Sequence, residues 1–192
     1  MTEPTDTTSE WDTDPALAAA VLEIEEHAAT GGWDRPAHLY ALVDTAALAA
    51  REPMLARLMG LDADAAAGSL TPVEQDELAA DARLESVLPQ IVWPADVAGV
   101  AAVVERWVLP PGADAEIPAD AAEAEAYAAA HPDRQRARLV AGATRAGATY
   151  CALRLKAHDD AQSVVGGVDL VPQLLQLLVA SLADDTQDRQ EP

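Results

Sequence analysis

Residues 134–156 alternate between basic and apolar side chains, and this pattern constrains the fold more than any other stretch of the chain. The basic positions are Arg134, Arg136, Arg138, Arg154 and Lys156. The other parity is apolar and holds Leu139, Ala141, Ala143, Cys151, Leu153 and Leu155. A period of two is typical of half-buried strands. The alternation therefore predicts two strands, at about 134–144 and 148–156.

Gly147 lies between the two predicted strands, as expected for a tight hairpin with a glycine at positive φ. A three-residue loop at 145–147 puts both apolar sets on one face, whereas a slip of one residue would turn one strand over. This loop pairs residue 144 with residue 148. The register then places Arg138 opposite Arg154 and Arg136 opposite Lys156, so the hairpin has one basic face.

Like charges directly opposite each other across a ladder are unfavourable, so acidic groups should lie over this basic face. The hairpin segment contains no acid, although the chain carries 33 Asp and Glu against 12 Lys and Arg. In one interpretation the chain neutralises the face itself. The acids considered for this are Asp120, Glu123, Glu125, Asp159, Asp160 and those of the C-terminus. In the other, the five basic residues form a candidate site for an anionic ligand or an acidic partner segment.

The rest of the chain alternates between helix and strand signals. Asp14 and Pro15 predict the cap and first turn of a helix that ends at Gly31. Strands are predicted at 38–43 and at 97–109, and the second should be central because both of its parities are apolar. Residues 70–75 fit either a helix start or an edge strand, and we favour the strand. Further helices are predicted at 45–51, 53–59, 84–91, 120–130 and from Asp169 to Leu182.

These elements predict a single α+β domain over residues 14–183. Its sheet should be mainly antiparallel with about four to five strands, and the N- and C-terminal helices should cover one face. The chain has 192 residues, half of them hydrophobic, which is enough for one domain with a core. The acidic leader, 1–13, and the acidic tail, 184–192, are expected to be disordered.

The formal net charge of −21 argues against binding nucleic acid or anionic membranes, since both depend on cationic contacts. No signal peptide and no apolar run long enough to span a bilayer are recognised, so we expect a cytoplasmic protein. Cys151 is the single cysteine, and its apolar parity predicts a buried, unreactive thiol. No motif for a metal, a cofactor or a catalytic nucleophile is found, and none of these sites is assigned.

Four stretches of the chain read GWDRPAHLYALVDT (32–45), HPDRQ (131–135), ALRLKAHDD (152–160) and DLVPQLL (169–175). Together they resemble a family of uncharacterised actinobacterial proteins, which implies a small cytosolic single-domain protein and no site residues. The order of helices and strands is similar to the type III secretion chaperone-like fold, whose members bind partner polypeptides across a sheet and helix surface. The insertion at 45–69 and the helix at 84–91 depart from that fold.

The leading hypothesis is a non-enzymatic, acidic protein that binds a partner polypeptide, as an adaptor or a chaperone, and is a monomer or a homodimer. The alternative is a domain that binds a small anionic ligand on the arginine-rich sheet face. A hydrolase that uses the scattered carboxylates fits less well. An open groove would favour a polypeptide, whereas a closed pocket of about 300 Å³ or more with converging arginines would favour a small ligand.

Overall fold

One antiparallel sheet of six strands organises the described part of the protein. The computed structural model describes residues 13–58, 60, 67–76, 78–79, 82–110, 117–118 and 120–183. The predicted leader, except Thr13, and the predicted tail lie outside these residues. The strand order is β2-β1-β3-β4-β5-β6. The strands are β1 (His38–Asp44), β2 (Leu70–Glu74), β3 (Val97–Val108), β4 (Gln135–Thr144), β5 (Thr149–Leu155) and β6 (Val165–Gly167).

Six α-helices occur in the described residues: α1 (Pro15–Thr30), α2 (Thr45–Arg51), α3 (Pro53–Leu58), α4 (Leu84–Val87), α5 (Ala121–Ala130) and α6 (Pro172–Leu182). A carboxylate oxygen of Asp14 accepts hydrogen bonds from the N–H groups of Ala16 and Leu17, at 2.9 and 3.1 Å, which confirms the predicted cap. Among the described helices, none combines the length and the apolar character needed to cross a membrane.

The last helix begins later than predicted. It starts at Pro172, and the residue before it, Val171, has an extended φ of −140°. Proline disfavours the helical conformation in the residue that precedes it. Asp169 therefore lies outside the helix, although the leucine pattern after Pro172 is helical as predicted.

The predicted hairpin register is confirmed. Arg138 is paired with Arg154, and Leu139 with Leu153. Gly147 adopts a φ of 89° in the turn, a conformation that glycine adopts without steric cost. The ladder ends at Leu155, because Lys156 begins a 3-10 helix. The predicted pairing of Arg136 with Lys156 is therefore wrong.

Both faces of the sheet are covered, each by different helices. On one face α1 packs against β1, β3, β4 and β5 in a cluster of Leu17, Ala20, Val21, Ile24, Tyr40, Leu42, Ala101, Val103, Val140 and Ala152. On the opposite face α4 and α6 pack with Trp93 in a cluster that includes Leu84, Leu88, Leu139, Ala141, Cys151, Leu175, Leu178 and Leu182. The prediction that the first and last helices share one face is therefore wrong.

Two physical reasons explain the differences from the predicted sheet. An amphipathic leucine stripe shows that a helix is buried on one side, but it does not show which face of a sheet it covers. Strands β3 and β4 are apolar on both parities, so each face needs its own helix. The sixth strand, Val165–Gly167, pairs with β5 and is not among the predicted strands, because three residues with two glycines carry no alternation.

A glycine in β4 sets how closely α1 approaches the sheet. A Cβ at Gly142 would lie 2.7 Å from Cγ2 of Val21 and 3.0 Å from Cδ1 of Leu17. A contact of 2.7 Å requires the Val21 side chain or the helix that carries it to shift. The close approach brings the side chains at the C-terminal half of α1 onto β4 and β5, where the basic residues lie.

The thiol of Cys151 is enclosed between the sheet and α6, and only 1% of the residue is exposed. Burial raises the pKa of this thiol, so both access and thiolate content are low at neutral pH. We expect native protein to react with a thiol reagent at least tenfold more slowly than protein unfolded in guanidinium, as followed by absorbance. Rapid stoichiometric labelling of the native protein would contradict the burial of this face.

Candidate functional site

A buried ion pair links α1 to the β4–β5 hairpin. Glu25 is on α1 and is only 2% exposed. Its two carboxylate oxygens accept hydrogen bonds from Nε and Nη2 of Arg154, both at 2.6 Å. These hydrogen bonds raise the pKa of Arg154 above its ordinary value. A bidentate pair of this kind fixes the orientation of both side chains, and here it fixes helix against sheet.

Arg138, directly opposite Arg154, is just as deeply enclosed. Its side chain is 2% exposed, and Nη1 lies 3.8 Å from Oε1 of Glu25. Its Nη2 donates to the backbone carbonyl of Gly32, and its guanidinium carbon lies 4.4 Å from the ring centroid of Trp33. Nη1 makes no hydrogen bond within the described residues. Its charge is thus shared between a carboxylate and an aromatic face.

A second buried carboxylate comes from the sheet itself. Glu105 on β3 is paired with Arg138 across the ladder, and its side chain is 4% exposed. Its Oε2 accepts from Nε and Nη2 of Arg136, both at 3.3 Å. The same oxygen accepts from the N–H of Asp34 at 2.9 Å. Glu105 therefore neutralises the arginines and also anchors the loop that follows α1.

Lys156 lies at the solvent side of this cluster. Its Nζ is 3.1 Å from Oδ2 of Asp34 and 5.6 Å from the ring centroid of Trp33. The indole N–H of Trp33 donates to Asp159 at 2.8 Å, and Asp159 lies 3.6 Å from Nη1 of Arg154. These groups close the cluster from outside.

The chain's own acids therefore lie over the basic face, but most of them are not the predicted ones. Asp159 was predicted correctly, and the predicted C-terminal acids lie outside the described residues. Asp120 instead caps α5, and Asp160 accepts from Ser163 and the N–H of Gln162. Glu25 and Glu105 were missed.

A signal for Glu25 was present in the sequence. It lies four residues after Val21 and eight after Leu17, on the apolar stripe of its helix. An acid in that position requires a buried partner.

The five predicted site residues are divided by the structure. Arg138 and Arg154 are buried in the cluster, and Lys156 is at its rim. Arg136 is bonded to Glu105 of the cluster, and the guanidinium carbons of Arg134 and Arg136 lie 4.8 and 5.3 Å from the ring centroid of Trp107. Binding of an anion or a partner by these five residues stays a prediction, and two of them, exposed Arg134 and half-buried Arg136, lie beside a groove.

This groove, which we call the Trp107 groove, runs between the end of β3, α5 and α6. One part has a volume of about 450 Å³ and the other about 680 Å³. Both parts are lined by Glu85, Arg106, Trp107 and Gln173. Strand β1 pairs with β3 only as far as Val103, so the last residues of β3 extend past their neighbour and form the wall of the groove.

The lining of the Trp107 groove is apolar with basic residues around it. Trp107 is 38% exposed, and half-buried Leu174 and Leu177 contribute from α6. Arg106 is exposed and has no ion-pair partner in the described part of the chain. Arg83 and Arg136 also line the groove. Its acidic members are Glu85 and Glu105, and Glu105 is already bonded to Arg136.

Comparison with known protein families gives a match over most of the chain. A family model described as PPA1309-like protein matches residues 17–183, which include the whole sheet, the buried ion pairs and the Trp107 groove. No curated protein and no solved structure matches the chain.

Proposed function

The chain belongs to the PPA1309-like protein family, a name that carries no activity, and we propose from the geometry that it is a non-enzymatic protein that binds an acidic polypeptide segment in the Trp107 groove. The observation that carries this proposal is an exposed tryptophan, surrounded by arginines, in an open groove of a strongly acidic protein. Tryptophan and arginine are the residues that most often dominate binding energy at protein interfaces.

The size and shape of the groove favour a polypeptide over a small molecule. Its two parts, of about 450 and 680 Å³, share a wall at Trp107 and Gln173. An extended segment can lie along both parts, with an apolar side chain beside Leu174 and Leu177. The arginine-rich sheet face fits a small ligand less well, since the chain's own Glu25 already binds Arg154.

Charge complementarity selects the kind of segment. Arg83, Arg106, Arg134 and Arg136 lie in or beside the groove, and the rest of the surface is dominated by carboxylates because the net charge is −21. An acidic segment is repelled by most of the molecule and attracted here, which guides it to the groove. A basic segment would bind elsewhere.

The finer features of the proposal come from the sequence. An adaptor or chaperone role fits the sheet-and-helix surface on which the groove lies. The actinobacterial origin is proposed from the four stretches of sequence that resemble proteins of those bacteria. We place the protein in the cytoplasm, as a monomer or a homodimer. A hydrolytic role is left aside because the two buried carboxylates, Glu25 and Glu105, are held by arginines.

A displayed library of random peptides, selected on the purified protein, tests the proposal. We expect the selected peptides to be acidic and to contain an aromatic or aliphatic residue. Their affinity, measured by isothermal titration calorimetry, should fall at least tenfold, about 1.4 kcal/mol, in both Trp107→Ala and Arg106→Glu. Because Arg106 is exposed and unpaired within the described chain, its replacement should leave the fold intact.

Arg57→Glu is the matched control, since Arg57 is also an exposed arginine but lies on α3, away from the groove. It makes the same charge change and should keep peptide affinity. Selected peptides that are basic, or that bind Arg106→Glu as tightly as wild type, would show that the groove is not the binding surface.

A further inference from the structure

A small polar cavity lies beside the buried cluster, between the end of α1, the loop after it and strands β1 to β3. Its volume is about 90 Å³, which corresponds to roughly three water molecules. The polar side chains that line it are His27, Arg35, His38, Tyr40, Glu74, Glu105 and Arg138. Of the cavity's lining residues, Val104 and Glu105 also border the Trp107 groove. Arg35 and Tyr40 line the cavity and not the groove, so binding in the cavity can be tested separately from peptide binding in the groove.

Both carboxylates of the cavity already have hydrogen-bond partners. Glu105 accepts from the N–H of Asp34 through Oε2, at 2.9 Å, and from that of Arg35 through Oε1, at 3.4 Å. Oε1 of Glu74 is 3.0 Å from Nδ1 of His38, and its Oε2 is 4.0 Å from Nε2 of His27. Glu105 is thus paired with Arg136, and Oε1 of Glu74 is bonded to the His38 ring.

The donors of the cavity are not occupied to the same extent. Within the described residues, the guanidinium of Arg35 and the hydroxyl of Tyr40 make no hydrogen bond, and Tyr40 is only 5% exposed. Nη1 of Arg138 also has no hydrogen-bond partner there. An enclosed donor without an acceptor costs about 1–3 kcal/mol, so Nη1 of Arg138 calls for an acceptor, and the Tyr40 hydroxyl is available to donate to the same group. Arg35 is exposed beside them and can turn its guanidinium toward the same acceptor.

Tyr40 keeps its proton at neutral pH and is therefore a hydrogen-bond donor. Burial, together with the nearby carboxylate of Glu74, raises the pKa of Tyr40 to about 12. A neutral phenol has one O–H to donate. The hydroxyl therefore suits an anion better than a cation.

We infer that this cavity binds a small oxyanion, a phosphate or a carboxylate group, with Arg35 and Tyr40 as the donors that hold it. The guanidinium of Arg35 can donate to two oxygens of such an anion at once. The Tyr40 hydroxyl donates a third hydrogen bond to the anion. Arg138, which lines the cavity from β4, adds positive charge to its wall. The volume admits the ion or the charged end of a larger molecule, and exposed His27 and Glu74 form the opening through which the rest would extend.

Thermal unfolding of the purified protein tests this site. Inorganic phosphate and acetate are each titrated against sodium chloride of equal ionic strength, and O-phosphoserine distinguishes a phosphomonoester from the free ion. A ligand that binds only the folded state raises Tm with the logarithm of its concentration above Kd. We expect Tm to rise with the logarithm of the phosphate or acetate concentration, beyond the effect of chloride, and an apparent Kd at least tenfold weaker in Arg35→Gln.

Two further variants make the result specific. Tyr40→Phe removes one hydroxyl and should weaken binding severalfold without loss of folding, since that hydroxyl bonds to no described residue. Arg57→Gln removes an exposed arginine on α3 and should bind as wild type does. The site is overturned if neither ion raises Tm beyond chloride, or if Arg35→Gln binds the ion as tightly as the wild type.

Discussion

Replacement of Glu25 with alanine should lower the free energy of unfolding by about 3–5 kcal/mol, which corresponds to a fall in Tm of roughly 6–20 °C. The reason is the charge that would remain. Arg154 donates two hydrogen bonds of 2.6 Å to this carboxylate, and Arg138 lies opposite Arg154 in the ladder. Without Glu25, two enclosed guanidinium groups would face each other. Urea unfolding followed by circular dichroism measures the change.

The neighbouring residue provides the control. Glu26 is exposed on the same turn of α1, and Glu26→Ala should change stability by no more than about 0.5 kcal/mol. A double variant, Glu25→Met with Arg154→Met, should recover much of the loss, because apolar replacement of both partners leaves no unpaired charge. Equal stabilities of Glu25→Ala and Glu26→Ala would mean that the pair is not formed.

Leu178→Ala should cost about 2–5 kcal/mol. Leu178 is fully buried, with 0% exposure, in the cluster between α6 and the sheet. Truncation removes most of its apolar contact and leaves a cavity that a packed sheet cannot collapse into. Differential scanning calorimetry should show a Tm lowered by roughly 4–20 °C.

The adjacent residue, Val179, is 42% exposed and provides the comparison for this helix. Val179→Ala shortens an exposed side chain on the same helix and should lower Tm only slightly. If both variants unfold at the wild-type temperature, α6 does not contribute to the core. If Val179→Ala is the more damaging, the helix is rotated so that Val179, rather than Leu178, faces the sheet.

The sequence predicted the parts of the fold that depend on parity and capping. The hairpin register is a matter of parity, since Arg138 and Arg154 must share one face if Leu139 and Leu153 share the other. Asp14 marks the start of α1 because an acceptor there satisfies free backbone N–H groups. Both arguments use neighbouring residues or one turn, so no knowledge of distant contacts is needed.

Features that depend on distant contacts were not predicted. Which face α6 covers depends on where α1 has already packed. The short strand at Val165–Gly167 exists because β5 offers an unpaired edge. The acids over the arginines come from positions 25 and 105, far from the hairpin in sequence. Charge counting showed that acids were required, but not which ones.

The site was predicted only in part for the same reason. Arg134 and Arg136 were identified from their spacing, and they do lie beside the Trp107 groove. Arg106, on the opposite parity of its strand, was not singled out, because one arginine in an apolar strand has no pattern of its own. Arg35 and Tyr40 were not noticed either, since an unoccupied hydrogen-bond donor is visible only when all neighbouring groups have been placed.

The pairing of Glu25 with Arg154 has a consequence for how the protein is made on the ribosome. The two residues are 129 positions apart, a stretch that takes about 6–26 s to synthesise at roughly 5–20 residues per second. During this time the first helix has emerged with strands β1, β3 and β4 to pack against, but the carboxylate of Glu25 does not yet have Arg154 to bind. A nascent chain that stops before β5 therefore leaves an acid on the apolar side of this helix without its bidentate partner, and it should be bound by ribosome-associated chaperones until the arginine appears.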